Sequence, residues 1–350
     1  LPAYFFGLAV GQLIYGPISD RIGRKKPLYF GMTLFAFASL LCVLAPDHWS
    51  LIAARVLQAL GGCVGVVMAR SAIRDCLDVQ GSAQAFSSMM IVMGIAPILA
   101  PTLGAAILQF FSWQGVFFAL FVIGLFCLFC VHFLFKETLA PERRLHLNFK
   151  QVFILYAAIL KDRSFRFPML AGCFTGAALF CYISSAAAVL MDGYHLTQQQ
   201  FAIAFGFNAF GIILLSSINK RLANKLSVIL RLKIGGLIQV TGALIIVSAG
   251  FMSDAPLAIV MLGLFFSVSG IGFTGPNAMA LAMSEQGSRA GTASAIMGSM
   301  QFACGLLGGV VLNFLVWNHL FNMGILMLAF TVAGFMAILK VAQQFKMKQI

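Results

Sequence analysis

Apolar runs of membrane length recur along this chain of 350 residues, and they decide what it can fold into. They fall near 1–15, 28–45, 50–72, 84–108, 113–135, 167–190, 198–218, 227–250, 255–283, 291–315 and 318–342. About 20 residues of helix cross the roughly 30 Å of bilayer hydrocarbon. A segment in lipid must satisfy its own backbone hydrogen bonds, so these runs are expected to be helices. Composition agrees: 61% of residues are hydrophobic and 9% charged, whereas a soluble domain carries about 25% charged residues. The fold expected is an all-α integral membrane protein with about 11 spans.

The net charge of +13 raises nucleic acid as a partner, but its placement argues for a lipid bilayer and no nucleic acid. Arg21, Arg24, Lys25 and Lys26 lie in the first gap between runs, and Arg74 in the third. Lys136, Arg143, Arg144, Lys150, Lys161, Arg163 and Arg166 lie in or beside the fifth, Lys220, Arg221 and Lys225 in the seventh, and Arg289 in the ninth. The even gaps, around Asp47, Trp113, Asp192, Asp254 and Trp317, hold no Lys or Arg. Basic residues gather in cytoplasmic loops, so the odd gaps and the C-terminus are expected in the cytoplasm.

The longest polar interval, 136–166, reads as a cytoplasmic linker between an N-terminal helical bundle, 1–135, and a C-terminal one, 167–350. The first apolar run is short and enters from the outer face. One earlier helix, with the rest of that span, is therefore expected ahead of Leu1, making twelve spans in two six-helix halves. Such halves mark one transporter architecture. Asn219-Lys220-Arg221-Leu222 faintly echoes the first cytoplasmic loop at the corresponding place in the second half.

Enzyme chemistry has little support. Seven of the eight cysteines fall inside apolar runs, and Cys127-x-x-Cys130 sits in a Phe-rich run without companion ligands. No metal or cofactor is expected. The ten acidic residues lie in loops or near span ends. Arg55 stands inside the third run, and a buried arginine is costly enough to suggest a bundle-facing role. Gln58, three residues on, shares its face.

Three motifs carry a resemblance. Gly16-Pro17-Ile18-Ser19-Asp20-Arg21-Ile22-Gly23-Arg24-Lys25-Lys26 resembles the signature loop of the major facilitator superfamily. Leu51-x-x-x-Arg55-x-x-Gln58-x-x-Gly61-Gly62 is similar to that superfamily's fourth-helix motif. Gly94 to Gly104, with Pro97 and Pro101, looks like a degenerate antiporter motif in which Ala96-Pro97 replaces the usual Gly-Pro, and two prolines there would bend the helix. At finer grain, Gly11-Gln12-Leu13-Ile14-Tyr15-Gly16-Pro17, Arg70-Ser71-x-x-Arg74-Asp75, Lys136-Glu137-Thr138-Leu139 and Pro276-Asn277-Ala278-Met279-Ala280 resemble the bicyclomycin and chloramphenicol/florfenicol resistance (Bcr/CflA) exporters.

The resemblance implies a major facilitator fold and drug:proton antiport, as a monomer, in the bacterial inner membrane. It implies a proton-coupling role for Arg55 with Gln58, and a proton-accepting carboxylate on the earlier helix. Gly16, Asp20, Arg21, Gly23, Arg24 and Asp75 form the expected gating loop. Asp20 is expected to dock near the helix start at Gly291 to Ser294, where the helix dipole favours a negative charge, with Arg24 near Asp75. Pro97, Pro101 and Gly104 form the expected antiporter kink. Tyr182, Asn208, Asn277 and Gln301 are the substrate-binding candidates, since polar groups within spans are expensive. A carrier of an endogenous sugar, amino acid or organic acid is the alternative.

Overall fold

Among the described residues thirteen α-helices follow one another, as lipid requires of apolar runs with no other backbone partners. The computed structural model describes residues 2–145, 149–252, 254–312 and 314–347. In chain order the helices are α1 Pro2–Ile22, α2 Lys25–Leu44, α3 His48–Cys76, α4 Val79–Phe110, α5 Trp113–Phe133, α6 Phe149–Lys161 and α7 Arg163–Ala187. Then come α8 Gln198–Leu222, α9 Val228–Gly250, α10 Leu257–Ser269, α11 Ile271–Met283, α12 Ala290–Leu312 and α13 His319–Met347. Among the described residues, nine helical stretches are long and apolar enough to cross a membrane.

Local sequence explains several helix starts. Asp47 caps α3 by accepting from the Trp49 and Ser50 amides, while the Ser50 hydroxyl accepts from the Asp47 amide. Thr197 and Gln200 make the same reciprocal box at α8. Each box satisfies amides that have no partner within the helix.

Three features depart from the sequence reading. The interval 136–166 is not wholly irregular, because α6 forms within it; its 13 residues are too few to register as a span. The run 255–283 is two helices, interrupted at Gly270. A Cβ on Gly270 would meet the Gln239 side chain and, at 3.0 Å, the Gly235 carbonyl, so the missing side chain permits close approach to α9. Finally, α7 continues through a π-helical turn, Ala188–Gly193.

Two compact units emerge. The first comprises Leu1–Asp78, Thr102–Asp162 and Met283–Ala303; the second comprises Val79–Pro101, Arg163–Ala282 and Cys304–Ile350. In the first, α3 packs on α1 and α2, and α2 on α5, around Tyr15, Leu28, Val64, Val67 and Met68. In the second, α13 packs on α7 and α9, and α10 on α8 and α9, around Tyr182, Leu190, Ile246, Leu264 and Met323. Many large apolar side chains remain exposed, among them Phe118, Phe126, Phe129 and Phe133 of α5. In a membrane protein these face acyl chains.

Candidate functional site

The turn between α1 and α2 is densely hydrogen-bonded. Gly23 supplies it with φ of +95°, a backbone state that favours glycine. A Cβ there would also collide with the Glu137 carboxylate. The turn brings Arg24 back under α1. Its guanidinium donates to Asp20 at 2.6 Å, to the Ser19 hydroxyl at 2.8 Å and to Asp75 at 2.9 Å. Asp20 and Arg24 are fully buried.

The Asp20 carboxylate also faces the start of α12. It accepts from the Gly291 amide at 2.9 Å, the Thr292 amide at 2.7 Å and the Thr292 hydroxyl at 2.6 Å. Free amides and the helix dipole make a helix N-terminus a favourable seat for a carboxylate. Gly16 lets α1 come this close, since a Cβ on it would meet the Ala295 side chain and the Gly291 carbonyl. Asp20, Gly16, Gly23, Arg24 and Asp75 are thus brought together. Arg21 is not, and remains exposed.

Glu137 is a partner that sequence reasoning missed. Its carboxylate accepts from the Arg24 amide at 2.8 Å and the Lys25 amide at 3.2 Å, capping α2 from a residue 113 positions away. Burial raises its pKa. The amides of Arg24, Leu139 and Lys25 and the nearby Arg144 charge outweigh that and hold Glu137 below its ordinary value. Thr138 donates to Asp75, and Arg74 donates to the carbonyls of Met283 and Ser284, closing the end of α11.

Arg55 occupies a different place. Its guanidinium lies 4.3 Å from the Tyr4 ring centroid and 5.4 Å from that of Phe117, and it donates to Gln58 Oε1. Gln58, fully buried, passes a bond on to Ser39 at 2.7 Å. Among the described residues no carboxylate pairs with Arg55; its charge is met by two aromatic faces and an amide.

In the second unit, Asn208 donates to the Tyr182 hydroxyl at 3.0 Å, and Tyr182 stacks on Phe205 with centroids 5.3 Å apart. Asn208 Oδ1 is buried without a partner among the described residues. Asn277 belongs to another network: it donates to Asn219 at 2.9 Å and to the Phe273 carbonyl. Asn219 in turn donates to Ser87 at 2.9 Å and accepts from Arg231 at 3.0 Å. Arg231 and Ser87 were not singled out by sequence; only the echo at Asn219 hinted at this place. Gln301 is half-buried on α12. The side chains of Pro97 and Pro101 lie outside the described residues, while Gly104 has open space where a Cβ would stand. No cluster of three potential metal ligands occurs among the described residues.

The sequence profile of the Major Facilitator Superfamily matches residues 1–309. The chain belongs to the Major Facilitator Superfamily. It is 35% identical over 315 residues to the MFS-type transporter YdgK of Bacillus subtilis, covering 89% of this chain and 77% of that protein. It is 28% identical over 310 residues to a bicyclomycin resistance protein homolog of Haemophilus influenzae, covering 88% and 77%. Its fold matches the crystal structure of the human organic anion transporter MFSD10 (TETRAN) with a TM-score of 0.80 at 15% identity, over 97% of this chain and 83% of that one. This major facilitator chain is a multi-pass membrane transporter and not an enzyme.

Proposed function

We propose that this transporter exports small amphipathic drugs, of the chloramphenicol or bicyclomycin kind, in exchange for protons by alternating access. The drug class rests on the likeness to a bicyclomycin resistance protein homolog. The observation that carries proton coupling is the Arg55 cluster. A guanidinium held by Tyr4, Phe117 and Gln58 keeps a fixed positive charge in an apolar span with its carboxylate-facing capacity unused among the described residues. Such a charge lowers the pKa of any carboxylate that approaches it and so favours proton release.

The buried Asp20–Arg24–Asp75 cluster at the start of α12 acts as the gate latch. Tyr182 and Asn208, both buried in this structure, are the aromatic and polar candidates for contact with a drug once helices move apart; Gln301 is a further candidate, and Asn277 is engaged by Asn219. Pro97, Pro101 and Gly104 serve as the antiporter-type hinge. The protein is a monomer with an N-terminal helical bundle, 1–135, and a C-terminal one, 167–350, joined by 136–166, set in a bacterial inner membrane with its C-terminus in the cytoplasm. The distribution of Lys and Arg supports that orientation.

The test is proton release from proteoliposomes holding the full-length protein on addition of chloramphenicol-like or bicyclomycin-like compounds. Drug-triggered release that Arg55→Ala abolishes is expected. Normal drug-driven proton movement in Arg55→Ala would sink the coupling role. Silence to drugs with transport of sugars or organic acids would overturn the substrate class.

A further inference from the structure

Helix α6 has one face for the protein and another that is exposed among the described residues. Ile159 is buried, and Val152, Leu155 and Tyr156 are half-buried against the first unit. Phe153, Ile154, Ala157 and Leu160 turn outward; Phe153 is 66% and Ile154 60% exposed. Lys150 and Lys161 are exposed on that same outward face, about three turns apart. The helix has 13 residues, about 20 Å at 1.5 Å each, too short to span a bilayer.

One bond ties the helix to α1, and a second ties the chain ahead of it to the end of α1. The Tyr156 hydroxyl donates to the Leu13 carbonyl, and the Leu145 amide donates to the Asp20 carbonyl at 2.8 Å. Leu13 lies about two and a half turns before the end of α1 at Ile22. The helix therefore lies alongside the last turns of α1, whose apolar run the sequence places in the membrane, and not beyond them. Around it, α1 exposes Leu13, Ile14 and Ile18.

We propose that α6 is an interfacial helix that binds the anionic phospholipids of the cytoplasmic leaflet. Phe153, Ile154 and Leu160 enter the boundary between headgroups and acyl chains, and Lys150 and Lys161 extend to the headgroup phosphates. An exposed apolar face beside a transmembrane helix would otherwise stand in water, and two lysines bracketing it match an anionic surface. The leaflet named here rests on the orientation proposed above; the binding itself depends on neither the drug nor the proton reading.

The experiment places a tryptophan at α6 by Phe153→Trp, with Trp49, Trp113 and Trp317 replaced by Phe, in the full-length protein reconstituted in bilayers. If those replacements impair folding, the native tryptophans are kept and the increment over the parent is read. Lipids brominated near the headgroup end of the acyl chain are expected to quench the new fluorescence. Brominated phosphatidylglycerol is expected to quench at least twofold more than brominated phosphatidylcholine at equal mole fraction. Lys150→Gln with Lys161→Gln, both at exposed positions, should level that difference. No quenching by either lipid overturns the proposal, as does equal quenching by both in the parent. Shielding from acrylamide without brominated-lipid quenching would put a protein partner on this face and also overturn it. Proton release measured on the same vesicles separates this failure from a failure of the transport reading.

Discussion

Asp20→Asn tests the latch most directly. The carboxylate accepts four bonds, one from Arg24 and three from Gly291 and Thr292. Removing one partner of a buried ion pair costs about 3–5 kcal/mol. The amide keeps the shape and one acceptor oxygen, which returns roughly 1 kcal/mol. Its NH2 must, however, face either the Thr292 amide or Arg24, both donors. Arg24 retains Asp75 as a counter-charge, which sets the expectation near the lower end, about 2 kcal/mol. At 1.4 kcal/mol per tenfold, that is about a 30-fold shift toward the open latch. The reporter is Ser294→Cys, fully buried in the parent, in a chain lacking its eight native cysteines. Its rate of modification by a water-soluble thiol reagent should rise about 30-fold in Asp20→Asn. A change under threefold would refute the reasoning, because a carboxylate that can be neutralised without exposing the start of α12 is not holding it.

Two further outcomes follow from the same geometry. Glu137 has a folded pKa held below its ordinary value of 4.5, so its stabilising effect is present above that value and is lost as pH falls through the folded pKa. Acidification below pH 4.5 should raise protease sensitivity at the α1–α2 turn, and Glu137→Gln should make that sensitivity independent of pH in the same window; a parent turn indifferent to acid would count against the cap. Asn219→Ala removes the acceptor used by Arg231 and Asn277 and the donor to Ser87. Leaving such groups buried and unpaired costs about 1–3 kcal/mol, which should appear as a lower melting midpoint in detergent, and an unchanged midpoint would refute the network's role.

How much of this was legible depended on distance along the chain. Spans were legible because about 20 apolar residues leave a helix as the one lipid-compatible outcome. Asp20 facing the start of α12 could be anticipated, since chain direction places a helix N-terminus on the same side as the first loop and the dipole selects an acid. Helix α6 could not: its apolar run, 152–160, is too short to register as a span, and the charges beside it disguise it as linker. Glu137 was quoted as part of a motif, but nothing local tells that its carboxylate caps a helix 113 positions earlier. Arg231 lies within the run 227–250 with nothing local to mark its partners, and it is buried among Asn219, Leu226 and Gln80.

By itself, then, the sequence determined that this protein lives in a bilayer, that it is built of apolar helices, and which loop carries the charged signature. Those outcomes follow from local composition against a uniform apolar solvent. The tertiary structure alone decided which polar groups meet. Partners such as Arg55 with the Tyr4 and Phe117 rings, or Asn208 with Tyr182, come from different helices. Whether a buried polar group finds its complement depends on helix rotation and packing, which close side-chain contact sets and no single segment encodes.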